Sequence, residues 1–489
     1  MGIHIKEHRT AIINLNDAED AADGLFNKDN CTLQLSKKTF DDFKKTIPTE
    51  FKRERNQTIN CYNISFDESR IFIKSDYYVG IDWIGTENKR FIYVEPKINP
   101  SVVEAFIKVT DEESETLSNE KIEEYDKEAE KNVRKDSCSK ELNVIGMLLE
   151  AMSNHATAKH TNHLLFVDWE SAEIPTSQTQ DLLTPFLVVR FLKLLQEIVR
   201  KGLKKSYYKV EENLNNRVRG KILVGKQIKQ NIFKNRVTST VCEYQVFGEN
   251  SIENRFLNKV FIFSTHYVEN NPKFFNDNNN IAWLINYIRP AFEHINNDVN
   301  TQEIKNLKYN PFFKEYQEAI KIGQYILKRF SYNITKTATV TETISTPPFW
   351  IDMPKLFELY VYAKLLKDNP NLSERNFNYQ FSTHGNALDF LVYDNEIKIV
   401  VDAKYKLHYN YNKVHSDIRQ VAGYARLNKV REKLKMNDSN EEIPCLIIYP
   451  EYLTNQSEAK LEIQNLLKDR ISTYHNIYKF GISLPLNAE

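Results

Sequence analysis

Asn386-Ala387-Leu388-Asp389-Phe390-Leu391-Val392-Tyr393-Asp394-Asn395-Glu396-Ile397-Lys398-Ile399-Val400-Val401-Asp402-Ala403-Lys404 is the most informative stretch of the chain. Two runs rich in β-branched and aromatic residues flank Asp394-Asn395, so the pattern predicts a β-hairpin with a two-residue turn. In that register Tyr393 faces Glu396, Asp389 faces Val400 and Ala387 faces Asp402. Side chains alternate between the faces of a sheet, which puts Asp389, Asp402 and Lys404 together. The two acids become diagonal neighbours, roughly 7–8 Å apart. Ile397, Ile399, Val401 and Ala403 occupy the other face, all apolar.

Two carboxylates this close repel unless a cation lies between them. Mg²⁺ takes one or two carboxylates, keeps several waters and engages substrate phosphates. A lysine two residues on can orient the attacking water or stabilise charge developing on phosphorus. These are the parts of metal-assisted phosphodiester hydrolysis. The plain alternative is an edge-strand Asp beside a solvated Asp–Lys pair, because a D-x-K tripeptide is common.

The flanks add two elements. Asp352 to Leu366 predicts an amphipathic helix with Glu358 beside its apolar stripe, as a site residue or as a flanking surface acid. Ser416 to Leu434 predicts another helix, in which Gln420 and Tyr424 of Gln420-Val421-Ala422-Gly423-Tyr424 share one face. Ordinary helix packing is the alternative there.

Helix with Glu358, strand with Asp389, strand with Asp402-Ala403-Lys404, then helix with Gln420 and Tyr424 resembles the PD-(D/E)xK nuclease superfamily. The last element is similar to the QxxxY motif of RecB-type members. Leu388 stands where the nominal proline of that pattern would be. A narrower resemblance is to the McrC family, nuclease subunits of McrBC-type modification-dependent restriction systems. Asp352-Met353-Pro354-Lys355-Leu356-Phe357-Glu358 and Val401-Asp402-Ala403-Lys404-Tyr405-Lys406 resemble its nuclease segments. Arg219-Gly220-Lys221-Ile222 and Glu253-Asn254-Arg255 resemble its middle region. Val79-Gly80 and Val94-Glu95-Pro96-Lys97-Ile98 resemble its first domain.

The resemblance implies a Mg²⁺-dependent DNA endonuclease, with Mn²⁺ as a substitute, acting on DNA that carries a modification. Asp389, Asp402, the Ala403 carbonyl and Glu358 would hold the metal. Lys404 would act on the water, and Gln420 and Tyr424 would orient the site or the DNA backbone. The implied partner is a McrB-like AAA+ GTPase hexamer, docked by the N-terminal domain and stimulated by it. The chain carries no G-x-x-x-x-G-K-[ST] loop, which agrees with that division of labour. A stand-alone RecB-like repair nuclease and a non-cleaving activator of an AAA+ partner remain alternatives.

The expected fold is α+β and multidomain. Residues 1–110 read as a β-rich domain, with strands at Thr58–Phe66, Arg70–Lys74, Tyr78–Gly85 and Phe91–Val94. Residues 111–141 hold 12 acids against 6 Lys/Arg, an acidic linker or surface helix. Residues 142–345 read as mainly helical, with helices at Leu142–Met152, Asp181–Leu203, Ile252–Val268, Ile281–Ile295 and Pro311–Phe330. A Thr/Ser-rich stretch ending at Pro347-Pro348 precedes the C-terminal α/β domain, 346–489.

The whole chain has 489 residues and 66 Lys+Arg against 66 Asp+Glu, which excludes a uniformly basic nucleic-acid coat. Locally, residues 201–236 carry 11 Lys/Arg against two acids. Arg217, Arg219, Lys221 and Lys226 cluster there on a hairpin-like segment, either as DNA-phosphate contacts or as a solvated face. Residues 401–435 hold nine Lys/Arg against three acids, beside the expected site. Five widely spaced cysteines without a CxxC pair argue against a disulfide framework or thiolate zinc site. His155, His160 and His163 match no zinc spacing. Without a signal-like N-terminus or an 18-residue apolar run, the expected location is the cytoplasm.

Overall fold

The computed structural model describes residues 2–96, 142–299, 313–330 and 343–486, except 8, 17–22, 29–30, 53–57, 88, 178–180, 276–278, 384–385, 406–410, 438–439, 452–459, 469 and 472–473. The acidic segment 111–141, Lys97-Ile98, Lys406 and most of the Thr/Ser-rich stretch lie outside the described residues. The chain divides into two compact units, Met1–Thr176 with Ser345–Glu489, and Ser177–Ile344.

The first unit opens with β1 (Gly2–Lys6), β2 (Thr10–Asn16), β3 (Thr32–Ser36), α1 (Lys37–Lys44), β4 (Glu50–Lys52), β5 (Thr58–Asn60), β6 (Tyr62–Phe66), β7 (Arg70–Ser75), β8 (Tyr78–Ile84) and β9 (Arg90–Glu95). Alternation builds these strands: β1 and β2 bury every second residue, Ile3, Ile5, Ala11 and Ile13. One sheet has the order β3-β2-β7-β6. After residue 141 come α2 (Val144–Ala151), α3 (His155–Ala158), β10 (Leu165–Val167) and β11 (Ile174–Ser177). Asn143 caps α2 by accepting from the Gly146 N–H.

The second unit contains α4 (Leu183–Lys201), β12 (Ser206–Asn215), β13 (Lys221–Ile222), α5 (Val224–Gln230), β14 (Ser239–Gly248), α6 (Ile252–Asn270), α7 (Pro272–Phe275), α8 (Asn279–Phe292) and α9 (Lys314–Arg329). The apolar stripe expected for α4 is buried at Leu183, Phe186, Val189, Leu192, Leu195 and Ile198. This region is less purely helical than the sequence suggested. β12 and β14 form an antiparallel ladder from Ser206↔Gly248 to Asn215↔Ser239, with β13 on the other edge of β14. Gly220 turns the chain at φ +68, where a Cβ would meet the Glu243 carbonyl oxygen at 2.4 Å.

The chain then returns to the first unit with β15 (Thr343–Thr346), β16 (Phe349–Asp352), α10 (Met353–Asp368), β17 (Phe377–Thr383), β18 (Asn386–Tyr393), β19 (Lys398–Ala403), α11 (Tyr411–Ala425), α12 (Asn428–Lys433), β20 (Cys445–Glu451), α13 (Ile463–Leu466) and β21 (Ile477–Ser483). β16 enters the N-terminal sheet, whose order is β1-β9-β8-β16-β10. The close approach requires Gly80, since a Cβ there would lie 2.0 Å from the Phe349 carbonyl oxygen. Trp350 is fully buried at this junction, its indole N–H 3.3 Å from Asp82. The boundary read at residue 346 therefore precedes a strand of the N-terminal sheet.

The remaining strands form a mixed five-stranded sheet, β17-β18-β19-β20-β21, antiparallel through β19 and parallel beyond. Tyr362 of α10 packs on Phe377, Tyr379 and Phe390 on one face. Ile418 and Val421 of α11 join Leu391 and Val400 in the core of the other. The face that carries Asp402 is thus covered by α11, with Asp402 buried beneath it.

Candidate active site

Each candidate side chain is delivered by an element the local sequence specifies. Asp352 caps α10 by accepting from the Lys355 N–H at 3.1 Å, and Pro354 sits in the first turn. That fixes the helix start and places Glu358 on its second turn, 7% exposed. β18 and β19 pair as Tyr393↔Lys398, Leu391↔Val400 and Phe390↔Val401. This is two residues away from the register inferred from a two-residue turn. The loop is Asp394–Ile397, where the Asp394 carboxylate accepts from the Glu396 and Ile397 N–H groups, both at 2.7 Å. An Asp that satisfies two backbone donors closes a longer turn. A slip of two preserves the faces, so the expected grouping survives. Continuing the ladder by one step places Asp389 directly opposite Asp402.

Asp389 accepts from the Ala403 N–H at 2.7 Å. Lys404 Nζ lies 2.8 Å from Asp402 Oδ2 and donates to Gln420 Oε1 at 3.1 Å. Gln420 Nε2 donates to the Tyr424 hydroxyl at 2.7 Å. A polar chain therefore runs Asp402–Lys404–Gln420–Tyr424 from the end of β19 across one face of α11. That helix ends at Ala425, with α12 beginning at Asn428, so the single helix expected to Leu434 is broken. The Gln380 amide donates to Glu358 Oε1, and Lys355 Nζ lies 3.5 Å from Glu358 Oε2.

Electrostatics tie the three acids together. Burial pushes the Asp389 carboxyl well above the usual carboxylate range, and the charges of Glu358 and Asp402 push it further. Burial also raises Glu358, against the opposing pull of Lys355. Burial works against the Lys404 ammonium, but the Asp402 carboxylate beside it prevails and holds it at about 12. Among the described residues, no three His, Cys, Asp or Glu side chains converge as a ready metal cluster. The oxygen-only acids, with Glu358 and Asp402 buried, Asp389 half-buried and their charges mutually repelling, suit a hard cation that completes its shell with water. His155, His160 and His163 likewise form no metal cluster; His160 instead rests on the Tyr379 ring, centroids 4.6 Å apart.

The structure brings Glu358, Asp389, Asp402, Ala403, Lys404, Gln420 and Tyr424 into one compact unit. Arg217, Arg219, Lys221 and Lys226 are exposed and belong to the other. Arg219 stacks its guanidinium over Tyr244 at 4.3 Å, and Lys226 pairs with Glu211. Sequence reasoning missed Lys355, Gln380 and Glu7. Lys355 was readable as the i−3 partner of Glu358. Gln380 sits between two aromatic strand residues and gave no signal. Glu7, fully buried, accepts from the Tyr405 hydroxyl at 3.0 Å across almost the whole chain, which no local pattern reveals.

Among the described residues no helix is long and apolar enough to cross a membrane. Cys31, Cys61, Cys242 and Cys445 are buried and form no disulfide. Comparison with curated proteins returns no match. Solved structures similar to this chain include two from Thermococcus gammatolerans. One is an assembly of McrB AAA+ hexamers with bound McrC, 14% identical over 99% of this chain and 95% of that one, with a TM-score of 0.35. The other is the McrBC complex, 15% identical over 87% of this chain and 99% of that one, with a TM-score of 0.26. The family model described as "McrBC 5-methylcytosine restriction system component" matches residues 73–450, which span both compact units and every residue of the site. That match bears out the McrC-like recognition read from the sequence: the chain belongs to the family of McrBC 5-methylcytosine restriction system components.

Proposed function

We propose that the chain is the DNA-cleaving subunit of a McrBC-like restriction system, a Mg²⁺-dependent endonuclease of the PD-(D/E)xK kind. The observation that carries this reading is the Asp389–Asp402 apposition with Lys404 paired to Asp402 at 2.8 Å. Asp389, Asp402 and the Ala403 carbonyl would hold the cation, with Glu358 assisting directly or through water. Bound there, the cation supplies Lewis-acid activation of phosphate and water. Lys404 orients the attacking water and stabilises charge growing on the phosphoryl oxygens. Gln420 and Tyr424 keep the ammonium in place. Water, not a protein nucleophile, opens the phosphodiester bond.

The family match supports work within a McrBC-type system, hence with a McrB-like AAA+ GTPase hexamer that the N-terminal domain docks to and stimulates. The family description also points to 5-methylcytosine as the modification that directs cutting. The exposed basic segment around Arg217, Arg219, Lys221 and Lys226 is the proposed DNA-backbone contact.

The test incubates the purified chain with 5-methylcytosine-bearing and unmodified plasmid and Mg²⁺, with and without its AAA+ partner and nucleotide. Lys404→Ala is the control. Cutting of modified DNA only with partner and nucleotide is expected. Cutting by the chain alone replaces this reading with a stand-alone nuclease. Stimulated hydrolysis without any cutting replaces it with a non-cleaving activator.

A further inference from the structure

Gln380 stands inside β17 with φ +54, a left-handed value that strand residues other than glycine avoid. The ladder to β18 registers the kink. Pairing passes from Tyr379↔Phe390 to Phe381↔Leu388 and skips the step at Gln380, the position opposite Asp389. The kink delivers the Gln380 amide to Glu358 Oε1. Lys355 approaches the other oxygen of that carboxylate at 3.5 Å, its ammonium also lying over the Tyr379 ring at 4.7 Å. Both oxygens of a buried acid are therefore addressed, one of them by a strained strand residue.

The kink also has a packing consequence: Tyr379 meets Tyr362 and Phe390 on one face, while Phe381, two residues on, packs against the other core, so the variants below must separate packing from the role of the amide. Strained backbone that places one polar group beside a reactive cluster is where fold stability is exchanged for function. We propose that Gln380 is a positioning residue of the active site, whose amide, delivered by the left-handed kink in β17, fixes the Glu358 carboxylate beside Asp389 for binding a divalent cation. The inference rests on the nuclease reading above.

Gln380→Gly separates this role from a structural one, because glycine adopts φ +54 freely while lacking the amide. The full-length variant is expected to melt within about 2 °C of wild type or above it. Its Mn²⁺ affinity, read by electron paramagnetic resonance without DNA, falls about 10-fold. Its kcat for cutting with the AAA+ partner falls about 10-fold with KM for DNA unchanged. Gln380→Asn, left-handed-tolerant with an amide too short to reach, gives the same losses. Wild-type Mn²⁺ affinity and kcat in both variants overturn the proposal and leave the nuclease reading standing. A large drop in melting temperature in both makes Gln380 structural and also overturns it. A wild-type protein that neither binds Mn²⁺ nor cuts overturns the proposal together with the nuclease reading.

Discussion

Tyr405 donates its hydroxyl to the buried Glu7 carboxylate at 3.0 Å, tying the residue after Lys404 to the end of the first strand of the chain. Phe357, one residue before Glu358, packs its ring 5.7 Å from that of Tyr405, and Tyr77 closes on it from the N-terminal domain at 6.4 Å. The N-terminal strands and the segment that follows β19 thus share a polar contact inside an aromatic cluster. Tyr405→Phe keeps the rings and removes the donor from a buried acid. It should lower stability by about 1.5–3 kcal/mol, the range for a hydrogen bond to a charged group. Urea unfolding measures this, and an unchanged midpoint and slope would show that Glu7 is satisfied without Tyr405.

Lys404→Ala should reduce cleavage at least about 10²-fold by removing charge stabilisation from the transition state. It also leaves Asp402, with its side chain 3% exposed, without the ammonium that faces it. Losing one partner of a buried pair costs stability, here up to about 3 kcal/mol. Single-turnover cleavage and thermal unfolding read the two effects separately. A variant that cuts at the wild-type rate rules out the assigned role.

Two glycines should respond in opposite directions. Gly80→Ala drives a Cβ to 2.0 Å from the Phe349 carbonyl oxygen and forces β8 and β16 apart. A loss of about 2–3 kcal/mol or more is expected, as for other overpacked sites. Gly423 lies inside α11 with no atom within 4 Å of an added Cβ. Gly423→Ala should gain about 0.5–1 kcal/mol from helix propensity. Melting temperatures of the two variants decide whether the junction at β16 is as tight as described.

Asp82 sets a pH dependence of stability. Burial raises its carboxyl to about 6, although the Trp83 N–H and the Trp350 indole N–H pull the other way. The folded state therefore holds the proton more tightly than the unfolded chain, whose Asp has its ordinary value of 3.8. Its contribution is fully present below about pH 4 and is lost as pH rises through about 6, by at most roughly 3 kcal/mol. Asp82→Asn should flatten that part of the stability profile, and an equally steep profile in the variant would assign the slope to another group.

Arg219→Glu should weaken DNA binding at every sequence alike and reduce the salt slope by about 1. The cost to folding should be small, since Arg219 is exposed and only stacks on Tyr244. Titrations of labelled DNA at several salt concentrations check this. Unchanged slopes would return the basic segment to a plain solvated face.

The site was legible where chemistry depends on spacing along one element. Asp402 and Lys404 are two apart on a strand, and Gln420 and Tyr424 are four apart on a helix, so each pair shares a face whatever surrounds it. The alternation of β18 and β19 likewise survived a wrong register, because a slip of two leaves every side chain on its own face. The register itself was hidden in Asp394, whose side chain closes a longer turn than Asp394-Asn395 suggested. The β12–β14 ladder escaped notice because β12 is mostly exposed and its short alternation, Tyr208 and Val210 around Lys209, runs into the charged pair Glu211-Glu212.

By itself the sequence determined the order of elements around the candidate site, the grouping of its candidate acids and lysine, and the family, since these depend on local periodicity and on residue types in order. Only the tertiary structure decided that Phe349–Asp352 completes the N-terminal sheet, that Glu7 meets Tyr405, and that Gln380 leaves the strand conformation to reach Glu358. Those relationships join residues far apart along the chain or depend on a backbone angle. They follow from which surfaces bury each other once the chain has closed, and no repeating pattern in one segment encodes that.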